Sequence, residues 1–356
     1  MKKGWFEHDT KKLAAMYGYQ KPEQNGGSLK LDSNENYAIP KQFQGDIITH
    51  ARKNSDVREY PLGGAERLVR AISKFLRMPP SMIGVGNGSD QILDIILGNF
   101  ASKKTRVLTS NPTFGFFEQR CDLYSIPVIS VPFSEHMELD AGDFESKFSR
   151  ADILYLDSPN NPTGFQFPKK RLQGLVKSFN GLVIIDEAYG EFGDYGMSSM
   201  TKTHKNLIVV NTLSKSFGLA GLRLGYFVAN PQFTDVFMRV LQYPYPLSTV
   251  TIESGIAALE RPDTMRAAVN IIKSERERII RTLRTYHSFD VFDSKANFVL
   301  FDAHGAYGRI YSALAEQGIS VRKLGKIGPH RGCLRVSIGT KEMNSKFLLA
   351  VRDLLE

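Results

Sequence analysis

The chain alternates short apolar runs with segments whose apolar residues recur every three or four positions. Runs at 105–109, 126–131, 153–156, 182–185, 207–210 and 222–228 read as strands. Several are apolar nearly throughout, as strands covered on both faces must be. The run 82–85 reads as a further strand, and Gly86-Asn87-Gly88 as a turn. Ser89 then reads as the cap of a helix carrying Ile92, Leu93, Ile96 and Leu97 on one side. Residues 20–30, with Pro22, Gly26 and Gly27, read as a loop. Strands alternating with helical segments predict an α/β domain with a largely parallel sheet.

After about residue 246 the texture changes. An amphipathic helix is expected over 264–286, with Val269, Ile272, Ile279 and Leu283 on one stripe. A strand at 297–301, a helix at 307–317, a strand at 333–338 and a last helix from Thr340 follow. This reads as a smaller α+β domain. The division expected is an N-terminal arm that joins the small domain over 1–40, a large domain over 41–245 and a small domain over 246–356. Ligands of open parallel sheets bind at the carboxyl ends of the strands.

Composition changes this picture little. The chain has 356 residues, 42% hydrophobic and 23% charged, which suits one large and one smaller folded domain. No apolar run approaches the roughly 20 residues that span a bilayer. Met1-Lys2-Lys3-Gly4-Trp5 leads into charged residues rather than an apolar leader, and Cys121 and Cys333 are the sole cysteines, so a reducing cytoplasm is expected. Charge is less ordinary: 46 Lys+Arg against 37 Asp+Glu give +9. Such an excess points to nucleic acid, an acidic surface or small anions. The basic residues form no block, and Lys273, Arg276, Arg278 and Arg281 are interleaved with Glu275 and Glu277 as on a solvated face. Neither a nucleic-acid nor a membrane partner is expected, nor a metal.

Four segments carry candidate chemistry. Leu213-Ser214-Lys215-Ser216-Phe217-Gly218 places a lysine just after an apolar strand. Alone it is a loop lysine, or a nucleophilic amine for Schiff-base chemistry. Arg223 follows among glycines, and Thr212 and Ser214 add hydroxyls, so the loop describes a phosphate-ester site beside an amine. Asp186 ends the apolar run Val183-Ile184-Ile185. It reads as a helix N-cap, or as the partner of a pyridinium nitrogen, with Tyr189 near the ring oxygen. Ser158-Pro159-Asn160-Asn161-Pro162-Thr163-Gly164 is a turn that can aim an amide. Gly84-Val85-Gly86-Asn87-Gly88-Ser89-Asp90 fails the dinucleotide spacing, yet glycines opening a helix still offer N–H groups to a phosphate.

Together, in this order, the four resemble the fold-type I, aspartate-aminotransferase-like family of pyridoxal phosphate enzymes, from Leu31 to about Thr340. The resemblance implies a mostly parallel seven-stranded sheet in the large domain and a pyridoxal 5'-phosphate cofactor. Within the family the chain is similar to the histidinol-phosphate aminotransferase group. The segments that carry this are Leu31-Asp32-Ser33-Asn34-Glu35-Asn36, Glu59-Tyr60-Pro61-Leu62-Gly63-Gly64, Tyr243-Pro244-Tyr245-Pro246, Lys295-Ala296-Asn297-Phe298 and Leu334-Arg335-Val336-Ser337.

By this resemblance Lys215 holds the cofactor and shuttles the proton. Asp186 pairs with the ring nitrogen, and Tyr189 and Asn161 bind the ring oxygen. Phe114 stacks on the ring. Thr212, Ser214, Arg223 and the Gly88-Ser89-Asp90 loop hold the phosphate. Tyr60 reaches the neighbouring subunit's site, which implies a homodimer. Arg335 binds the donor α-carboxylate and Arg322 the substrate phosphate, with Tyr19 and Asn34 also at the substrate. The implied reaction exchanges an amino group between L-histidinol phosphate or imidazole-acetol phosphate and glutamate or 2-oxoglutarate. An aromatic amino-acid aminotransferase and a threonine-phosphate decarboxylase-like enzyme are the alternatives. Tyr37-Ala38-Ile39, Gln91 and Phe114 depart from the group's usual residues and bear on the substrate.

Overall fold

The apolar runs become strands because helices cover them on both sides. The computed structural model describes residues 5–16, 18 and 29–355. Strand β1 (Leu29–Leu31) pairs outside the large sheet. The large sheet holds β2 (Ile83–Asn87), β3 (Val107–Asn111), β4 (Val128–Pro132), β5 (Ile153–Asp157), β6 (Leu182–Asp186), β7 (Leu207–Thr212) and β8 (Leu224–Val228). Their order is β2-β8-β7-β6-β5-β3-β4, and β8 alone runs against its neighbours.

Alternate residues of each strand face opposite cores. Ile184, Val210 and Phe227 pack with Ile92, Leu93 and Phe117, whereas Val183, Ile185 and Val209 pack with Leu172 and Leu175 on the other face. Each such burial stabilises by about 1.5–3 kcal/mol. Both faces being dry, any polar residue at a strand end is forced toward the loops, where the site lies.

The second sheet has the order β1-β11-β12-β10-β9. It consists of β1, β9 (Asp290–Val291), β10 (Phe298–Asp302), β11 (Ile319–Ile327) and β12 (His330–Ser337). Its core joins Ile272 and Ile279 of the helix Pro262–Leu283 to Phe298, Val336, Phe347 and Val351. The helix Thr249–Leu259 lies against the helices Lys41–Asn54 and Gly64–Leu76. Among the described residues no helix is long and apolar enough to cross a membrane.

Three local readings change. Leu29 and Lys30, read as loop, belong to β1, because that strand completes the edge beside β11. The expected turn at Gly86-Asn87-Gly88 is a direct junction: β2 runs to Asn87 and the helix Gly88–Phe100 starts at the next residue. Ser89 is therefore inside the helix rather than its cap, and Asn87 holds the cap position. The junction is tight because Gly88 has φ +75° and a Cβ on Gly225 would lie 2.3 Å from the Gly88 carbonyl carbon. Arg322 sits within β11 opposite Arg335 of β12. Strand β11 escaped the pattern because Arg322, Lys323 and Lys326 interrupt it and its pairing slips on either side of Gly325.

Candidate active site

Two carboxylates end neighbouring parallel strands. Asp186 closes β6 and Asp157 closes β5, in register with each other. Asp186 Oδ1 accepts the Ala188 N–H at 2.9 Å, and Oδ2 accepts the Tyr155 hydroxyl at 3.2 Å. Burial lifts its pKa to about 6 against those bonds. Asp157 accepts from the Thr113 hydroxyl, the Asn160 side chain and the Asn161 N–H, at 2.9, 2.8 and 2.8 Å. Burial pushes it up to about 7. These bonds hold the 158–164 turn against β5, which aims Asn161 into the cavity; Ser158-Pro159 and Asn161-Pro162 are cis.

Lys215 lies just beyond β7, and its Nζ donates to the Ser33 carbonyl at 3.0 Å. Burial, then the Arg335 charge, lowers its pKa to about 8, so a neutral amine is within reach near physiological pH. Beside it, the Thr212 hydroxyl donates toward Ser214 Oγ at 3.0 Å and accepts the Ser214 N–H. Arg223, at φ +52°, donates from Nη2 to Asp90 Oδ2 at 2.8 Å. A Cβ on Gly88 would lie 2.8 Å from Arg223 Nη2, so only glycine leaves the guanidinium its place. A helix N-terminus, two hydroxyls and this guanidinium converge as an anion cradle.

Arg335 is 8% exposed. It donates to Asn161 Oδ1 and, at 3.0 Å, to the Asp32 carbonyl, and lies 5.0 Å from the Phe298 ring centroid. Asn34 donates to the Tyr189 hydroxyl at 2.9 Å and exchanges two bonds with Ser337. The segment after β1 thereby ties the loop after β6 to the small sheet.

One cavity of about 460 Å³ collects Asn34, Ser89, Asp90, Phe114, Asn161, Asp186, Tyr189, Thr212, Ser214, Lys215, Arg223, Arg322 and Arg335. Gly88 adjoins it through Arg223. Tyr60 lies outside it, 72% exposed and stacked on Tyr245 at 4.5 Å. Tyr19 lies outside the described residues.

Known proteins match this architecture. The family described as "Aminotransferase class I and II" matches residues 28–351. The histidinol-phosphate aminotransferase of Pyrococcus furiosus is 34% identical over 92% of each chain. Histidinol-phosphate aminotransferase 1 of a Nostoc species is 30% identical over 99% of this chain and 98% of its own. The crystal structure of the histidinol-phosphate aminotransferase from Clostridium acetobutylicum superposes with a TM-score of 0.83 at 26% identity, over 91% of this chain and 98% of that one.

The chain belongs to the class I and II aminotransferases.

An aminotransferase acts on small molecules, and this cavity has their dimensions. Several residues at the aminotransferase site carried no readable signal. Ser33 contributes only a carbonyl and Tyr155 only a hydroxyl from inside an apolar strand. Asp157 could have been found, as a second acid ending an apolar run. Lys326, a third basic residue on the small-sheet side of the cavity, was hidden with the rest of β11. Gln91, where the group often has Glu, accepts the Asn87 N–H at 2.7 Å and closes the β2–helix junction.

Proposed function

We propose that this enzyme transfers an amino group between L-histidinol phosphate and 2-oxoglutarate, with imidazole-acetol phosphate and glutamate as the reverse pair, in histidine biosynthesis. One observation carries the reading: a single cavity holds a buried lysine, a buried acid and two arginines opposite each other on β11 and β12. Two oxo partners, one carrying carboxylates and one a phosphate ester, must occupy it in turn.

The residues fit pyridoxal 5'-phosphate. Lys215 supplies the amine that holds it, Asp186 a buried carboxylate for the ring nitrogen, Asn161 and Tyr189 polar atoms for the ring oxygen, and Phe114 an aromatic face. Thr212, Ser214, Ser89, the Gly88 backbone and Arg223 suit its phosphate, with Asp90 orienting Arg223. When bound, the cofactor supplies an electron sink for the bond broken at the substrate Cα. Lys215 would take the Cα proton and deliver it to the cofactor carbon that ends up bearing the amino group. Its depressed pKa keeps this amine able to accept one. Arg335 orients the carboxylate and Arg322 the phosphate, and Asn34, through Tyr189, keeps the small sheet in register with the site. Tyr19 is assigned to the substrate on the same reading.

The division into an arm (1–40), a large domain (41–245) and a small domain (246–356) belongs to this proposal, as does a homodimer. Exposed Val57, Tyr60, Leu62, Tyr243 and Tyr245 support a partner copy that receives Tyr60. A cytoplasmic location agrees with two buried free thiols, Cys121 and Cys333, each pushed up to about 12 by burial. The test is a panel pairing glutamate with imidazole-acetol phosphate, phenylpyruvate and 4-hydroxyphenylpyruvate. A higher kcat/KM for the phosphate is expected. Preference for phenylpyruvate, or CO₂ release from threonine phosphate without an acceptor, overturns the reading.

A further inference from the structure

A second cluster of ionisable side chains lies outside the cavity, where β9, β10 and β12 end together. Asp290 and Asp302 are register partners on β9 and β10, and His330 opens β12. Asp290 Oδ2, Asp302 Oδ2 and His330 Nδ1 all lie within 4.8 Å of one another. His330 Nδ1 is 3.2 Å from Asp302 Oδ2 and 3.9 Å from Asp290 Oδ2. His304 flanks both acids, with Nδ1 3.4 Å from Asp302 Oδ2 and Nε2 3.3 Å from Asp290 Oδ2.

The hydrogen bonds around the cluster fix what can sit in it. His330 Nε2 lies 2.8 Å from the Glu135 carbonyl oxygen. A carbonyl only accepts, so Nε2 carries the hydrogen, and a neutral ring presents a lone pair at Nδ1. That lone pair faces Asp302 Oδ2, itself an acceptor. Asp302 cannot turn away, because its Oδ1 accepts the His304 and Gly332 N–H groups at 2.8 and 2.9 Å. Asp302 is 1% exposed, so solvent does not relieve the opposition. A positive charge must sit between the two atoms, either a proton on Nδ1 or a metal ion.

An imidazole whose remote N–H is held by a backbone carbonyl, facing a carboxylate whose other oxygen is already bonded, is the outer-shell support of a metal ligand. Ligands about 2.0–2.1 Å from a tetrahedral ion stand about 3.3 Å apart. We propose that Asp290, Asp302 and His330 bind a divalent first-row transition ion, represented by zinc, with His304 packed beside both acids. Metal on Nδ1 keeps the Nε2–H on Glu135, and so ties β12 to the loop after β4. The β11–β12 hairpin carries Arg322 and Arg335, so an occupied site steadies one wall of the cavity. The sequence shows no sign of such a site, because the donors come from three strands and make no spacing motif.

The test uses the cofactor-loaded enzyme, dialysed against a chelator and then freed of it. Zinc is titrated by calorimetry, and Co²⁺ is followed by its visible absorption. Binding of one ion per chain is expected, with Co²⁺ bands typical of low coordination. Asp290→Asn and His330→Gln should each weaken it by at least about 100-fold, given that outer-shell changes alone cost about 10–100-fold. Asp290 is exposed, so its variant should fold whatever becomes of His330→Gln. No stoichiometric binding by the wild type, or equal binding by a folded Asp290→Asn, overturns the proposal and leaves a proton as the bridging cation.

Discussion

Lys215 donates to a carbonyl rather than to a carboxylate, and burial beside Arg335 sets its chemistry. Burial, then the Arg335 charge, lowers its pKa to about 8, and the Ser33 carbonyl brings no formal negative charge to hold the proton on. Lys215→Ala should abolish the visible absorption of the bound cofactor and slow transamination by about 10²–10⁴-fold. Persistence of the band in the variant would show that another amine holds the cofactor. Arg322→Ala should lower kcat/KM for the phosphorylated partner by about 10–100-fold, the worth of a charge-assisted hydrogen bond, and spare phenylpyruvate. Equal losses on both substrates would remove Arg322 from phosphate recognition. Lys215, Asp186 and Arg335 stood out as candidates because each charged residue interrupts or ends an apolar run, and one cavity collects them. The roles proposed for them came from the family resemblance. Ser33 and Tyr155 were not readable, since one contributes backbone and the other looks like core.

At the scale of elements, the β2–helix junction decides whether the anion cradle exists. The helix Gly88–Phe100 can start against β8 only because Gly225 has no side chain. Gly225→Ala would set a Cβ 2.3 Å from the Gly88 carbonyl carbon and 2.4 Å from the Ser89 nitrogen, both backbone atoms that cannot swing aside. A loss of about 1–3 kcal/mol in urea unfolding is expected, with faster release of cofactor on dilution. An unchanged midpoint and release rate would show that the junction adapts. The glycines were visible in the sequence, but their partner across the sheet was not. A close approach between residues 88 and 225 is a property of the paired strands. The same holds for β11, whose polar residues make sense only beside Arg335.

For the whole molecule, the strongly displaced acids have a stability consequence. Asp157, Asp186 and Glu187 are buried, with pKa values of about 7, 6 and 8 in the folded state. Unfolding returns them to the ordinary carboxyl range near 4. Between about pH 4 and 8 the folded chain therefore holds more protons than the unfolded one, and raising the pH over this window lowers stability. The urea midpoint of the cofactor-free protein should fall from pH 5.5 to 8, and Glu187→Gln, which keeps an acceptor for the Met197 N–H, should flatten that slope. A variant slope as steep as the wild type would acquit Glu187. Assembly is tested separately: light scattering should give twice 39.9 kDa, and Leu62→Asp, at a 78% exposed position, should shift the mass toward the monomer. A monomeric wild type would leave Tyr60 without a site to complete.

The sequence by itself determined the α/β alternation, the positions of most strands and the order of the four chemical segments. These depend on local periodicity and on charged residues placed where an apolar strand must end, and both are properties of neighbouring positions. Through the resemblance it also marked Arg223, Arg322 and Arg335 as candidate partners of anions, which account for only a few of the +9 excess. Tertiary structure decided which residues meet. The register of β5 with β6 sets Asp157 beside Asp186, the pairing of β11 with β12 sets Arg322 opposite Arg335, and the ends of β9, β10 and β12 gather Asp290, Asp302 and His330. Such contacts join positions far apart in the chain through sheet hydrogen bonds and close packing, and no local pattern encodes them.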